Sequence, residues 1–490
     1  MSFRRLTTSI VFLAVFAMAV RVSTDTDTWW HLRAGWWMVE HGQILREDLF
    51  SLTRMGQPWI YPGWLAQIAL YGAFAGLGYA GLNLLTAAAV VAAFAFVWRE
   101  LEGPGLLRAF VLLLAAMTSA VYWSARPQIF SFLLSAVCLW ALEGARKGSG
   151  KRILILPAVM ALWVNLHGGF AIGFLLIGVY AAGEGIELLL GVALKQSSLA
   201  AAWRAHRASL LRLGGVLGAC ALAACLNPNG PAMLLYPFKT VSIGVLQDYI
   251  QEWQSPNFHH LEPQPFVWML FLTAMAMAAS SRRKAPVEWL GLFGFAYLGL
   301  VAGRNIAVFA LVAAPTLSRH AESALAPIAR SVAKGPQVPE RWARVINAIL
   351  LSLAVVAAAA KVSIPLATSV NVTALEERLP VAAVSYIQTE RPPGALFNSY
   401  NWGGYILWAL YPDHPSFVDG RTDLFDDEIL RQYLTAWRAG EGWEEVLDRW
   451  DIRLVLLEPD APLVRALESA GWARGYADEH AVVLLRGEGP

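Results

Sequence analysis

The sequence is poor in charged residues. Only 15% of its 490 residues are Asp, Glu, Lys or Arg, and 57% are apolar, whereas soluble domains carry about 25% charged residues. These proportions exclude a disordered chain, a coiled coil and an ordinary soluble enzyme. They favour a polytopic α-helical membrane protein, because a helix satisfies its own backbone hydrogen bonds in lipid.

Acidic residues are scarce in the first part of the chain, and lysine is absent from the last part. Residues 1–370 hold 28 Lys and Arg against 16 Asp and Glu, whereas residues 371–490 hold 10 Arg, no Lys and 20 Asp and Glu. We therefore predict a basic transmembrane domain over 1–370 and an acidic, soluble domain over 371–490. The acidic domain argues against a nucleic acid partner. The three cysteines lie in apolar runs, which excludes a disulfide framework and a zinc spacing.

Long apolar runs predict about eleven membrane-spanning helices. The runs are 6–22, 81–98, 106–122, 128–143, 153–166, 169–190, 213–226, 264–280, 286–302, 305–318 and 346–366. These spans carry almost no charge, which counts against an ion or proton transporter.

Lysine and arginine cluster in alternate loops, which predicts the orientation of the chain. The N-terminus is predicted to be cytoplasmic and the C-terminal domain external, as in a multi-pass protein of a bacterial inner membrane. This orientation requires that residues 61–78, in the first external loop (22–80), lie near the outer surface without crossing. The first apolar run also has the features of a cleavable signal peptide, and that alternative stays open.

Two carboxylates follow the first span, in Thr24-Asp25-Thr26-Asp27-Thr28. Such a pair can hold a divalent cation or act as a general base, but Asp and Thr also begin helices as caps. The next stretch, 28–41, contains two Trp pairs and is predicted to be a helix in the membrane interface. The acidic pair and the aromatic helix together indicate a site at the outer face.

Other polar residues fall at the same predicted face. Arg126 and Arg304 each lie at the end of a span, where arginine can bind a lipid-borne phosphate or anchor the helix. His167 can bind phosphate, relay a proton, join a metal site or cap a helix. Glu252 lies in a predicted external loop, where an acid can act in catalysis or be only a solvated side chain.

The C-terminal domain is predicted to be a small α/β unit with a doubly wound sheet. Helices are expected over 381–389, from the Gly-containing turn at 398–405 to about 410, near 427–438 and over 441–449. Strands are expected over 395–397, 416–418, 453–457 and 481–485. Polar residues at the carboxyl ends of such strands often form sites. The candidates for contact with a partner or substrate are therefore Asn398, Asn401, Asp419, Arg421 and Asp423, with Asn401 and Arg421 as acceptor contacts, although turn chemistry explains the Asn residues almost as well.

The first external loop resembles that of a known enzyme class. Asp27-Thr-Trp-Trp-His-Leu-Arg33, with His41-Gly42, resembles the loop of the oligosaccharyltransferase catalytic subunit, and Tyr61 to Gly78 is similar to the loop of lipid-A aminoarabinose and protein mannosyl transferases. All belong to the GT-C class of membrane glycosyltransferases. The resemblance implies a polyprenyl-linked sugar donor and an external active site.

The resemblance also implies roles for single residues. Asp27 corresponds to the catalytic acid of the loop, with Asp25 as the adjacent alternative. Arg304 is similar to the arginine that contacts the donor phosphate, and the turn with Asn401, Trp402 and Tyr405 lies where the family has its acceptor motif. Our own interpretation adds His167 or Arg126 as further contacts of the phosphate. Asp25, Asp27 and Glu252 would hold Mn²⁺ or Mg²⁺. The family's second acidic pair is replaced by Ser124-Ala-Arg126, so a metal-independent enzyme is the alternative.

The sequence therefore predicts a glycosyltransferase that moves a sugar from a polyprenyl phosphate or pyrophosphate to a glycan, lipid or protein acceptor at the outer face. Two other functions stay open. One is a transporter of lipid-linked sugars, and the other is a non-enzymatic scaffold or receptor that presents the acidic domain.

Overall fold

The structure, a computed structural model, describes residues 1–245, 250–332 and 339–487 and is mainly helical. Its helices, numbered α1 to α19 in chain order over these residues, are Phe3–Ala19, Thr28–His41, Trp64–Glu100, Gly105–Ser119, Gln128–Arg146, Leu156–Leu166, Ala171–Ala193, Leu199–Ala224, Tyr236–Val241, Gln264–Ala279, Pro286–Val301, Ile306–Val332, Glu340–Leu366, Thr368–Glu376, Val381–Glu390, Gly403–Leu410, Thr422–Trp437, Trp443–Arg449 and Pro462–Ser469. Four strands, β1 to β4, are Ala395–Asn398, Ile452–Leu457, Ala473–Ala477 and Val482–Leu485.

Every one of the predicted apolar runs lies on a helix, and the polytopic α-helical membrane fold is confirmed. Six helices in the described ranges are long and apolar enough to cross a membrane, namely Trp64–Glu100, Gly105–Tyr122, Gln128–Arg146, Gly168–Ala193, Leu199–Ala224 and Glu340–Leu366. Three shorter apolar helices are Arg152–Leu166, Gln264–Ala279 and Pro286–Val301.

The long helix α3 has a kink at Gly78. Its 37 residues would extend about 55 Å if straight, well beyond the roughly 30 Å of a bilayer core. Gly78 has φ 58° and ψ −142°, a conformation that favours glycine. The kink thus separates the predicted surface segment 61–78 from the predicted span 81–98.

The described residues cluster into two compact units. The first comprises Met1–Arg21, Leu84–Pro237 and Gln251–Ile364, and the second comprises Val22–Asn83, Phe238–Ile250 and Pro365–Pro490. The second unit is therefore assembled from three separate stretches of sequence. The predicted division at 370/371 stays a prediction.

The first unit contains a network of buried charges that the sequence did not reveal. Arg319 of α12 lies 2.9 Å from Glu143 and 3.1 Å from Glu102, and it also pairs with Glu288. The side chains of Glu143 and Glu288 are only 8% and 3% exposed. Glu143 and Glu288 lie at the ends of predicted spans, and Glu102 and Arg319 lie just outside them, so the middle of each of these spans stays uncharged. Each carboxylate has a cationic partner, which offsets its desolvation.

The second unit contains a four-stranded mixed sheet in the order β1-β2-β4-β3. β1 and β2 are parallel, whereas β4 is antiparallel to β2 and to β3. The prediction of a strand over 416–418 is wrong, because Ser416 makes a single bridge, to Ser51, and no ladder. The antiparallel edge also departs from the predicted doubly wound sheet. The helix Pro462–Ser469 and the strand Ala473–Ala477 were not predicted.

The core of the second unit draws on the early stretch of the chain. Trp30 and Trp59 are buried in the same apolar cluster as Phe397, Phe417 and Val455. Burial of such large side chains contributes about 1.5–3 kcal/mol each. The aromatic residues after the first span therefore stabilise the α/β sheet.

Candidate functional site

The acidic pair lies at the start of α2 in the second unit. Asp27 immediately precedes the helix, but its side chain makes no capping hydrogen bond. Its backbone N–H instead donates to Asp25 Oδ1 at 3.1 Å. Both side chains are half-buried. The capping alternative therefore does not account for the Asp27 carboxylate.

The Asp27 carboxylate packs against Gly420, which lies in the loop before α17. A Cβ atom at Gly420 would lie 1.8 Å from Asp27 Oδ1 and 3.0 Å from Trp30 Nε1. No side chain can be accommodated at that distance without moving Asp27. A side chain is also excluded at a second glycine, because a Cβ atom at Gly404 would lie 2.6 Å from the Thr26 carbonyl oxygen. The loop of 419–421 and the start of α16 thus both contact the acidic segment.

The loop that carries Gly420 is fixed by a buried ion cluster. Arg421 donates to Asp419 through Nε at 2.8 Å and through Nη2 at 2.7 Å, and its Nη1 pairs with Asp48. All three side chains have 0% exposure. Burial alone would lower the pKa of Arg421, but the two carboxylates raise it above its ordinary value. Arg421 therefore fixes the position of the loop. This structural role was not predicted from the sequence, which suggested only a contact with the acceptor.

The other predicted acceptor residues lie around the start of α16. Asn401 is exposed, whereas Trp402 is buried at 5% exposure. Tyr405 is half-buried and packs edge-on against Trp29, with ring centroids 5.4 Å apart. Burial, with Tyr79 and Glu376 adding smaller effects, raises the pKa of Tyr405 to about 12. An acceptor role for these residues stays a prediction.

The first unit brings together the predicted phosphate-binding residues. Arg126 Nη1 donates to Glu252 Oε1 at 2.7 Å, and the guanidinium of Arg304 stacks over the Trp253 ring at 4.3 Å. The Arg126 charge, opposed by burial and assisted by Arg304, lowers the pKa of Glu252. These residues come from three different loops at one end of the helices, and we call them, with His167, the arginine cluster.

His167 joins this cluster between α6 and α7. Its Nδ1 accepts a hydrogen bond from the backbone N–H of Gly169 at 3.1 Å, which caps the short turn Gly168–Phe170. Burial first, and then the Arg304 and Arg126 charges, lower the pKa of His167 to about 3. The imidazole is therefore neutral at physiological pH.

The predicted metal ligands lie in both units. Asp25 and Asp27 are in the second unit and Glu252 is in the first, where it is paired with Arg126. Oxygen ligands suit Mg²⁺ and Mn²⁺, so the two aspartates are chemically fit for such an ion. Their metal role stays a prediction.

Two carboxylates and a histidine elsewhere in the first unit lie close enough together to hold a metal ion. The ligand atoms of Glu184, Glu187 and His206 lie within 4.8 Å of one another. His206 lies 2.8 Å from Glu184, and Arg283 lies 3.4 Å from Glu187. A hydrogen bond between His206 and Glu184 and an ion pair between Arg283 and Glu187 account for these contacts.

The chain is similar to known proteins in its structure. No protein-family model matches the sequence, and no curated protein matches it. Among solved structures, the apo oligosaccharyltransferase of Archaeoglobus fulgidus is similar with a TM-score of 0.52 and 12% identity, over 92% of this chain and 69% of that chain.

Two further solved structures belong to ArnT from Cupriavidus metallidurans. The form bound to undecaprenyl phosphate is similar with a TM-score of 0.47 and 14% identity, over 98% of this chain and 97% of that chain. The apo form is similar with a TM-score of 0.47 and 13% identity, over 98% of this chain and 96% of that chain. The likeness to the archaeal enzyme shows the fold, and the fold of this membrane protein is that of the GT-C glycosyltransferases.

Proposed function

We propose that this protein is a glycosyltransferase that moves a sugar from a polyprenyl phosphate or pyrophosphate to an acceptor at the outer face of the membrane. The observation that carries the proposal is the arginine cluster. Two guanidinium groups and a neutral imidazole meet at one end of the apolar helices, in a chain with the GT-C fold. Arginine binds phosphate oxygens in a bidentate manner, and the end of a span is where a lipid-borne phosphate lies.

The reaction assigns a separate task to each group. Asp27 accepts the proton of the acceptor hydroxyl as the hydroxyl oxygen attacks the anomeric carbon. The bond between that carbon and the donor phosphate oxygen breaks, and its electron pair leaves with the phosphate. Arg304 and Arg126 stabilise the negative charge that grows on the departing lipid phosphate. A divalent cation held by Asp25 and Asp27, if bound, would orient donor oxygens.

Release of sugar from the donor tests the proposal directly. Purified protein in detergent is incubated with labelled polyprenyl phosphate and pyrophosphate sugars, with Mn²⁺ or Mg²⁺ and with a chelator. We expect slow release from one donor class, and a loss of about 10²–10³-fold in Arg304→Gln, the range for removing one oxyanion donor. Arg207→Gln, at an exposed position on α8, is the matched control.

The same assay separates the remaining functions. Binding of a lipid-linked sugar without release, unaffected by Arg304→Gln, would overturn the proposal in favour of transport. Neither binding nor release with any donor would favour the scaffold. Loss of release with the chelator, restored by the ion, would establish a metal-dependent enzyme.

Gly420→Ala is expected to lower the rate of sugar release, although it replaces no titratable residue. The new Cβ atom would lie 1.8 Å from Asp27 Oδ1, so the carboxylate must move, and a displacement of about 1 Å can cost 10²-fold in rate. Gly440→Ala is the control, because its nearest neighbour is the Thr435 carbonyl at an ordinary 3.6 Å. Sugar release by both variants is the measurement. Equal rates would contradict the role of this contact.

A further inference from the structure

A chain of hydrogen bonds in the first unit ends on His167. The indole Nε1 of Trp163 lies 2.6 Å from Ser131 Oγ, and Ser131 Oγ lies 2.7 Å from His167 Nδ1. Trp163 and Ser131 are each 1% exposed. The three residues come from α5, from α6 and from the connection after α6, so the chain links separate parts of the helical unit.

The direction of each bond in this chain is determined by its donors. A tryptophan indole N–H and a backbone N–H can only donate. The Gly169 N–H therefore requires an unprotonated Nδ1, which accepts it at 3.1 Å. The Ser131 hydroxyl accepts from Trp163 and must give its own proton to the same nitrogen. Nδ1 thus receives two hydrogen bonds, and the ring proton is on Nε2.

These bonds also oppose a charged imidazole. Protonation of Nδ1 would set its new N–H against the Gly169 N–H and the Ser131 hydroxyl proton. Arg126 and Arg304 act on the same ring electrostatically and disfavour a second positive charge. Within the described part of the chain, no hydrogen bond uses Nε2. His167 therefore retains one unused donor, the Nε2–H.

We infer that His167 is an uncharged N–H donor for a phosphoryl oxygen of the sugar donor, and that Ser131 and Gly169 are positioning residues that fix its tautomer. The inference rests on the proposed function for the identity of the ligand. A neutral donor adds a directed hydrogen bond to the charges of the two arginines and transfers no proton. It excludes His167 as a general base, because Nε2 already carries a proton, and as a metal ligand through Nδ1.

Two amide substitutions distinguish this role from the alternatives. In His167→Gln the side-chain amide can place an N–H near the former Nε2, whereas in His167→Asn the shorter amide reaches only the Nδ1 position. We expect His167→Gln to keep sugar release within about tenfold of wild type and His167→Asn to lose about 10²–10³-fold, like His167→Ala. A base or a metal ligand would be lost equally in all three variants, and that result would overturn the inference.

The positioning residue Ser131 has a matched control on the same helix, and Gly169 has one on the helix that follows it. Ser131→Ala removes the hydroxyl that holds Nδ1. Ser135→Ala, one turn further along α5, removes a buried hydroxyl that has no hydrogen-bond partner among the described residues. Gly169→Ala would place a Cβ atom 2.6 Å from Ser131 Oγ and 2.8 Å from Nδ1, whereas Gly178→Ala on α7 meets nothing within 4 Å. We expect Ser131→Ala and Gly169→Ala to lower sugar release about tenfold or more, and neither control to change it.

Nitrogen NMR of histidine-labelled protein tests the tautomer without any assay of activity. His167→Gln identifies the His167 signals among those of the nine histidines. We expect an unprotonated Nδ1 and a protonated Nε2 that do not titrate between about pH 5 and 8, although a free histidine does. A protonated Nδ1, or titration in that range, would overturn the inference even if sugar release is found. Absence of release by wild type would instead overturn the proposed function.

Discussion

Asp27→Asn is expected to lower sugar release by the purified protein about 10²–10⁴-fold. In this assay water takes the place of the acceptor hydroxyl and attacks the anomeric carbon. The amide has nearly the shape of the carboxylate but cannot accept the proton of that water, and a positioned general base contributes about 10²–10⁴-fold. Because the amide matches the carboxylate in size, the variant should fold normally. The rate is measured with the donor that wild type uses, together with expression and thermal stability.

Two further variants make this result specific. Asp25→Asn keeps the oxygen that accepts the Asp27 N–H and should retain most activity if Asp25 is neither the base nor an essential ligand. Glu40→Gln, at an exposed position on the same helix, should be unchanged. Full activity of Asp27→Asn would reject Asp27 as the base. Loss of sugar release in Asp25→Asn but not in Asp27→Asn would assign the role of general base to Asp25.

Arg421→Ala is expected to cause the largest loss of stability. The substitution leaves Asp48 and Asp419 buried without their cation, and breaking a buried pair in this way costs about 3–5 kcal/mol. At about 2–4 °C per kcal/mol for a domain of 150–250 residues, the unfolding midpoint should fall by roughly 10 °C. Thermal unfolding of the full chain in detergent measures it.

An exposed arginine provides the comparison for Arg421. Arg431 is 67% exposed and lies 4.0 Å from Asp427, and exposed pairs contribute at most about 1 kcal/mol. Arg431→Ala should therefore shift the midpoint by no more than a few degrees. If Arg421→Ala shifts it equally little, the buried cluster does not hold the loop of Gly420.

Local pattern was sufficient to predict much of the fold. The stretch 28–41 forms the predicted helix, and the strands expected over 395–397 and 453–457 are present within a residue. Apolar runs predicted the membrane helices because lipid imposes one rule on every spanning segment. The first-loop residues, led by Asp27, indicated the fold class that the structural comparison supports.

Non-local contacts could not be predicted in the same way. Ser416 pairs with Ser51 by a single bridge, so its short apolar run looks like a strand but has no ladder. Arg421 resembles a site residue until Asp48, 373 residues away, is seen beside it. Ser131 has no signal at all, since one serine in an apolar helix is ordinary. Its role depends on Trp163 and His167, which only folding brings together.

The separation between Asp48 and Arg421 has a consequence for biosynthesis. A ribosome adds about 5–20 residues per second, so Arg421, which is 373 positions after Asp48, is made roughly 20–75 s later. During that interval the segment with Asp48, Trp30 and Trp59 has been synthesised, but the sheet that it stabilises has not. The newly made chain must keep this aromatic segment from aggregating, and α2, if it lies in the membrane interface as its Trp pairs predict, would hold the segment at the membrane surface during that time. Maturation of this protein should therefore depend on chaperones or insertion factors that act on the early loop long before translation ends.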